Sequence, residues 1–124
     1  MTLLGTGTSQ GVPVIGCHCD ICQSPDPRDQ RLRTSALLRV NGLDLVIDCG
    51  PDFRQQMLRA GVSKVDAILM THEHNDHIIG LDDVRPFNFS SWQDMPVYAT
   101  PPVQKELKQR FAYVFEEENR YPGA

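Results

Sequence analysis

Three of the four histidines fall inside six residues, in the run Thr71-His72-Glu73-His74-Asn75-Asp76-His77. The run follows Val65-Asp66-Ala67-Ile68-Leu69-Met70, which is apolar on both faces apart from Asp66 and reads as a buried strand. Any fold of this chain must therefore set a ligand-rich loop at the end of a core strand. In an extended segment residues two apart point the same way, so His72 and His74 can grip one ion together. Asp76 and His77 come where the chain turns, and they can face a neighbouring ion. Imidazole nitrogens suit zinc, iron or manganese, and the carboxylate adds hard-ligand character.

A second cluster, Cys17-His18-Cys19-Asp20-Ile21-Cys22, packs three thiols into six residues. Cysteines this close cannot frame a core with disulfides, and three thiolates are one short of a closed tetrahedral zinc site. His18 sits between two of them, but adjacent residues seldom bind one ion comfortably. Two readings stand: a separate zinc held by Cys17, Cys19 and Cys22, or a reduced loop without metal. Cys49 stands apart and reads as a small buried residue.

Composition narrows the classes. A chain of 124 residues, 40% hydrophobic and 23% charged, is the size and make-up of one globular domain. The net charge of −4 leaves no basic footprint for nucleic acid. Runs such as Ala67-Ile68-Leu69-Met70 are far short of a membrane span. Met1-Thr2-Leu3-Leu4-Gly5 lacks the charged start and long apolar stretch of a signal peptide, so the expected location is cytoplasmic.

Along the chain, Thr2 to Leu4 reads as a short strand entering a glycine loop. Residues 11–33 are loop-like, with Pro13, Pro25 and Pro27. Ser35–Val40 and Leu43–Asp48 flank Asn41-Gly42, the signature of a hairpin with a type I′ turn. Asp52 offers a helix N-cap; Phe53, Met57 and Leu58 recur at helical spacing, and Gly61 stops that helix. Ile78, Ile79 and Leu81 suggest a short helix or turn. Pro86 and the stretch from Asn88 to Asp94 read as loop, and Met95 to Ala99 as a strand. A last helix starts near Pro101-Pro102, with Val103, Leu107, Phe111, Val114 and Phe115 on one face. Glu116-Glu117-Glu118 reads as its solvated end. The order predicts a mixed α/β fold with sheet and helices in layers.

Here the residues resemble a known family. His72-x-His74-x-Asp76-His77 is similar to the metal motif of the metallo-β-lactamase superfamily. Gly5-Thr6-Gly7-Thr8-Ser9-Gln10-Gly11-Val12-Pro13, followed by Gly16-Cys17-x-Cys19-x-x-Cys22, resembles the branch of phosphoribosyl 1,2-cyclic phosphate phosphodiesterases. Ribonuclease Z and PqqB-type proteins are relatives of that branch. The resemblance implies an αββα sandwich of which residues 1–124 form the N-terminal half, with the C-terminal half absent. It implies a dinuclear centre, with His72 and His74 on the first metal and Asp76 and His77 on the second. Zinc is the expected metal, with manganese or iron as alternatives.

Asp76 and Asp48 are the implied catalytic carboxylates. Asp48 would lie beneath the metals and fix the tautomer of a ligand imidazole, or it simply caps a strand end beside Gly50. In this branch a similar cysteine trio holds a structural zinc completed by a late histidine, which this chain lacks. The implied activity is metal-dependent hydrolysis of a cyclic or small phosphodiester. A non-catalytic metal-binding or assembly module is the alternative. A ribonuclease Z-like role ranks third, since the charge is −4 and no Lys/Arg-rich arm is visible. The expected partners are a small phosphodiester and, for the sheet face of a half-sandwich, a second copy or the missing half; no membrane is expected. The Gly5–Gly11 loop has neither the Walker nor the dinucleotide spacing, and reads as a tight turn passing close to the metal site. Asp82, Asp83 and Arg85 are read as substrate contacts or as a solvated surface group.

Overall fold

The structure, a computed structural model, describes residues 1–115, so the Glu116-Glu117-Glu118 helix end lies outside the described residues. Five strands, β1 (Thr2–Gly5), β2 (Ser35–Val40), β3 (Leu43–Ile47), β4 (Ala67–Leu69) and β5 (Val97–Tyr98), form one sheet in that order. The first three run antiparallel, and β3, β4 and β5 are parallel. The β2–β3 turn is the one the Asn-Gly pair predicts: Asn41 and Gly42 take φ of 50° and 80°.

The pairing register sorts the side chains into two rows. Leu37, Val46, Ile68 and Val97 stand abreast on one face; Leu3, Ala36, Ile47, Leu69 and Tyr98 stand abreast on the other. The first face meets helices α1 (Phe53–Ala60) and α4 (Pro101–Arg110), and there Leu37, Val46, Ile68, Phe53 and Leu107 are at most 2% exposed. Each such side chain gains about 1.5–3 kcal/mol by leaving water. Among the described residues no helix covers the second face: Leu3, Val40, Leu43, Leu69 and Tyr98 are all exposed. The α/β layering is therefore that of a sheet with helices on one side.

Three short α-helices, α2 (Asn75–Ile78), α3 (Arg85–Ser91) and α5 (Ala112–Phe115), and two 3-10 helices, Pro27–Asp29 and Ile79–Val84, complete the described fold. No helix among the described residues is long and apolar enough to cross a membrane.

Several local expectations are corrected. The stretch from Pro86 to Ser91 is helical, not loop, because Pro86 occupies the first turn, where no N–H is needed, while Trp92 to Asp94 are irregular as expected. Ser90 and Ser91 then bond back to the Phe87 carbonyl at 2.9 Å instead of breaking the helix. Asp52 stands at the N-cap of α1, but its carboxylate does not cap. It accepts instead from the Arg33 backbone N–H at 2.8 Å and from Arg33 Nη1 at 3.0 Å. Leu58 faces solvent, and Gln56 is buried in its place, donating to the Arg33 carbonyl at 2.8 Å. The last apolar helix breaks at Phe111 into α4 and α5. The close approach made by the Gly5–Gly11 loop is to residues 31–33: a Cβ on Gly5 would lie 1.9 Å from the Arg33 carbonyl oxygen.

Candidate metal centre

The site begins with two parallel strands ending side by side. β3 ends at Ile47, and Asp48 takes φ of 61°, the left-handed region that aspartate enters more readily than most residues. β4 ends at Leu69 and delivers Thr71 beside it. The Asp48 N–H bonds the Leu69 carbonyl at 3.0 Å, and the Cys49 N–H bonds the His77 carbonyl at 2.8 Å. The short helix α2 is thereby strapped across the strand ends. Two glycines permit the approach. A Cβ on Gly50 would lie 2.0 Å from the Asp76 carbonyl oxygen, and one on Gly80 would lie 2.2 Å from that of Gly50.

His72, Asp76 and His77 each present a ligand atom within 4.8 Å of the others. His77 Nε2 lies 3.1 Å from Asp76 Oδ2. The His72 ring lies 3.9 Å from that of His77 and 4.8 Å from that of His74. His72 thus stands between His74 and the Asp76–His77 pair, and its tightest grouping is with Asp76 and His77. His74 is the most exposed of the three histidines.

Asp48 lies beneath, 3% exposed. Its Oδ2 is 2.7 Å from His77 Nδ1 and 2.7 Å from the Thr71 hydroxyl, and its Oδ1 accepts the Thr71 N–H at 2.8 Å. With Nδ1 of His77 donating to the carboxylate, Nε2 carries the free lone pair on the Asp76 side. Two imidazoles and a carboxylate form a donor set suited to zinc, iron or manganese, so the residues present fit the metal the fold family implies.

Two residues of this neighbourhood have no role in a reading of spacing alone. Thr71 touches both Asp48 and His72 Nδ1, the latter at 3.1 Å. Arg110, from the end of α4, reaches the Asn75 side chain at 2.5 Å. A hydroxyl residue abutting the first histidine is the one signal the sequence offers for Thr71; nothing local signals Arg110.

The other candidates lie elsewhere. Cys17, Cys19 and Cys22 also bring their sulfurs within 4.8 Å of one another, with Cys17 and Cys19 Sγ 3.4 Å apart. The Cys22 backbone N–H, and then the neighbouring thiols, hold the Cys19 thiol below its ordinary range. His18 points to Gln23 instead, 3.4 Å away, and no fourth ligand joins the trio among the described residues. Cys49 is fully buried, and burial together with the charges of Asp48 and Asp83 pushes its thiol up. Asp82 accepts a hydrogen bond from the Tyr113 hydroxyl, whose pKa is pushed up to about 12 by burial and by that carboxylate.

Comparison with known proteins places these features. Residues 44–123 match the beta-lactamase superfamily domain. Over 122 residues the chain is 50% identical to a protein of Porphyromonas gingivalis named octanoyltransferase, covering 98% of this chain and 24% of that protein. It is 36% identical over 86 residues to ribonuclease Z of Mycolicibacterium gilvum, covering 68% of this chain and 24% of that one. The crystal structure of a diphosphatase from the PhnP family superposes with a TM-score of 0.87 at 50% identity, covering 92% of this chain and 46% of that chain. Zinc-bound PqqB from Methylobacterium extorquens superposes with a TM-score of 0.73 at 26% identity, covering 87% and 39%. The chain thus spans about a quarter of the length of these curated relatives, and less than half of these two solved chains.

Proposed function

The chain belongs to the metallo-β-lactamase superfamily, and on that premise we propose that its histidine–aspartate centre holds two zinc ions and serves hydrolysis of a cyclic or otherwise small phosphodiester. The observation that carries the reading is the grouping of His72, Asp76 and His77 within 4.8 Å above a buried carboxylate. When bound, such ions lower the pKa of water and neutralise charge developing on phosphoryl oxygen.

His72 and His74 supply one pair of ligands, and Asp76 and His77 the other. Asp48 holds the His77 ring from behind, so that the ring neither turns nor presents its protonated nitrogen to the metal. Four ligands leave each of two tetrahedral ions two short. Water or groups beyond the described residues complete them. Such groups also position the substrate, a contribution of roughly 7–11 kcal/mol in well-oriented model reactions. The 124-residue chain by itself therefore turns over phosphodiesters very poorly or not at all, and joining it to a half that supplies further ligands restores turnover. A reducing cytoplasm suits its four free thiols.

The 50% identity to the PhnP-family diphosphatase over 92% of this chain supports phosphorus-ester chemistry. The likeness to ribonuclease Z supports RNA as a second class of ester, although a net charge of −4 gives little electrostatic grip on a nucleic-acid backbone. The match to the protein named octanoyltransferase leaves about three quarters of that protein's length outside. Its name is therefore no guide to the chemistry of this segment.

The test pairs elemental analysis with turnover of bis(p-nitrophenyl) phosphate. Purified chain is expected to hold zinc, manganese or iron, and His72→Ala with His74→Ala is expected to remove most of it. Metal content unchanged in the double variant, or turnover by the joined halves that is indifferent to chelation, overturns the reading.

A further inference from the structure

We infer that Thr71 is a positioning residue: its hydroxyl relays the Asp48 carboxylate to His72 and fixes that ring with the proton on Nδ1, leaving Nε2 to the metal. The inference rests on the metal-centre reading above and deepens it. It follows from counting protons. The carboxylate of Asp48, when ionised, only accepts. Three contacts converge on it: the Thr71 N–H at 2.8 Å, the Thr71 hydroxyl at 2.7 Å and His77 Nδ1 at 2.7 Å. The hydroxyl has one proton, and that proton points at Asp48. The hydroxyl oxygen 3.1 Å from His72 Nδ1 is then an acceptor only, so Nδ1 must carry the proton of that bond.

One buried carboxylate thus sets two ligand rings, His77 directly and His72 through the threonine. Both rings end in the same tautomer, with Nε2 free. The arrangement explains why the Thr71 backbone is also pinned to Asp48: the two bonds hold the hydroxyl at a fixed height under the His72 ring. Valine keeps the shape of threonine but neither donates nor accepts, whereas serine keeps the hydroxyl. The two substitutions therefore separate packing from relay.

The experiment reads the ring-nitrogen ¹⁵N shifts of His72 in metal-free chain, about two pH units above the ordinary imidazole pKa. Zinc affinity is measured by competition with a chelating dye. Wild type is expected to show His72 protonated on Nδ1. Thr71→Val is expected to lose that preference while His77 keeps its own, and zinc binding is expected to weaken about 10–100-fold, as for other groups that orient ligands. Thr71→Ser is expected to restore both. His72 protonated on Nε2 in wild type overturns the inference even if the valine variant fails to fold. So does a valine variant with wild-type tautomer and affinity. Wild-type chain that binds no zinc, manganese or iron yet shows the Nδ1–H tautomer overturns the metal-centre reading and leaves the relay standing.

Discussion

His72, Asp76 and His77 follow a strand in which Ile68 and, just after it, Met70 are at most 5% exposed, whereas Cys17, Cys19 and Cys22 lie on a loop outside the buried cluster. No residue from 5 to 36 belongs to the buried cluster, and Ile15 in the middle of the cysteine loop is 98% exposed. The loop is held by local bonds, Cys17 N–H to Val14 and Gln23 N–H to Cys19, both at 3.0 Å. The histidine centre is held by long-range ones, from β3 to β4 and from Cys49 to His77. Both clusters bring three ligand atoms within 4.8 Å. What differs is the preorganisation: the first site is imposed by the fold, and the second is a property of twenty-odd residues of loop.

That contrast is breakable in three places. The largest effect is expected from Gly50→Ala, whose new methyl meets the Asp76 carbonyl at 2.0 Å and can be relieved only by moving backbone. A loss of about 3 kcal/mol is expected from urea unfolding. Metal should be lost from the histidine centre with the cysteine loop unaffected. Loss from both sites alike would show that the loop depends on the fold after all.

Asp48→Asn comes next. Asparagine tolerates the left-handed backbone at φ 61°, so the change isolates the carboxylate. An amide cannot accept from all three donors, and about 2 kcal/mol of stability should go with it, together with 10–100-fold in zinc affinity. Thermal melting and metal competition measure the two losses separately.

The smallest effect on stability belongs to the loop. Replacing Cys17, Cys19 and Cys22 together by serine should change the unfolding free energy of metal-free chain by about 0.5 kcal/mol or less, since nothing buried is disturbed. Any zinc held by the trio should vanish while the histidine centre keeps its own. In wild type that zinc should leave as pH falls, because protons compete for the thiolates. Stoichiometry unchanged in the triple variant would assign the loop no metal.

The same contrast decides what could be read in advance. The Asn41-Gly42 turn and the strands around it are encoded within a dozen residues, and so are both ligand clusters, so spacing reveals them. The helix at Arg85–Ser91 is not legible in this way, because Pro86 and the serines look like loop chemistry unless their place within the first and last turns is known. Asp52 and Gln56 take roles that helical spacing does not carry, for a related reason. Both serve Arg33, a partner about twenty residues away whose backbone needs them more than the helix does. Within the centre, spacing puts His72 with His74, while the fold also brings His72 against His77, through a bend that begins only at Asn75. The support by Thr71 and the reach of Arg110 depend on which strands neighbour one another, and no local pattern carries that.

The bare face of the sheet has a calorimetric consequence. Apolar surface that is wet in the folded chain is not newly hydrated when the chain unfolds, so it adds nothing to the heat-capacity increment. A fully packed chain of 124 residues gives about 1.5–1.9 kcal/mol per kelvin. With Leu3, Val40, Leu43, Leu69 and Tyr98 already in water, this one should fall below that range, with a correspondingly shallow denaturant slope. Its stability curve is then broad and low, changing little between a cold room and body temperature. Whatever comes to lie on that face steepens the curve, and the gain in heat capacity measures how much of the face it dries.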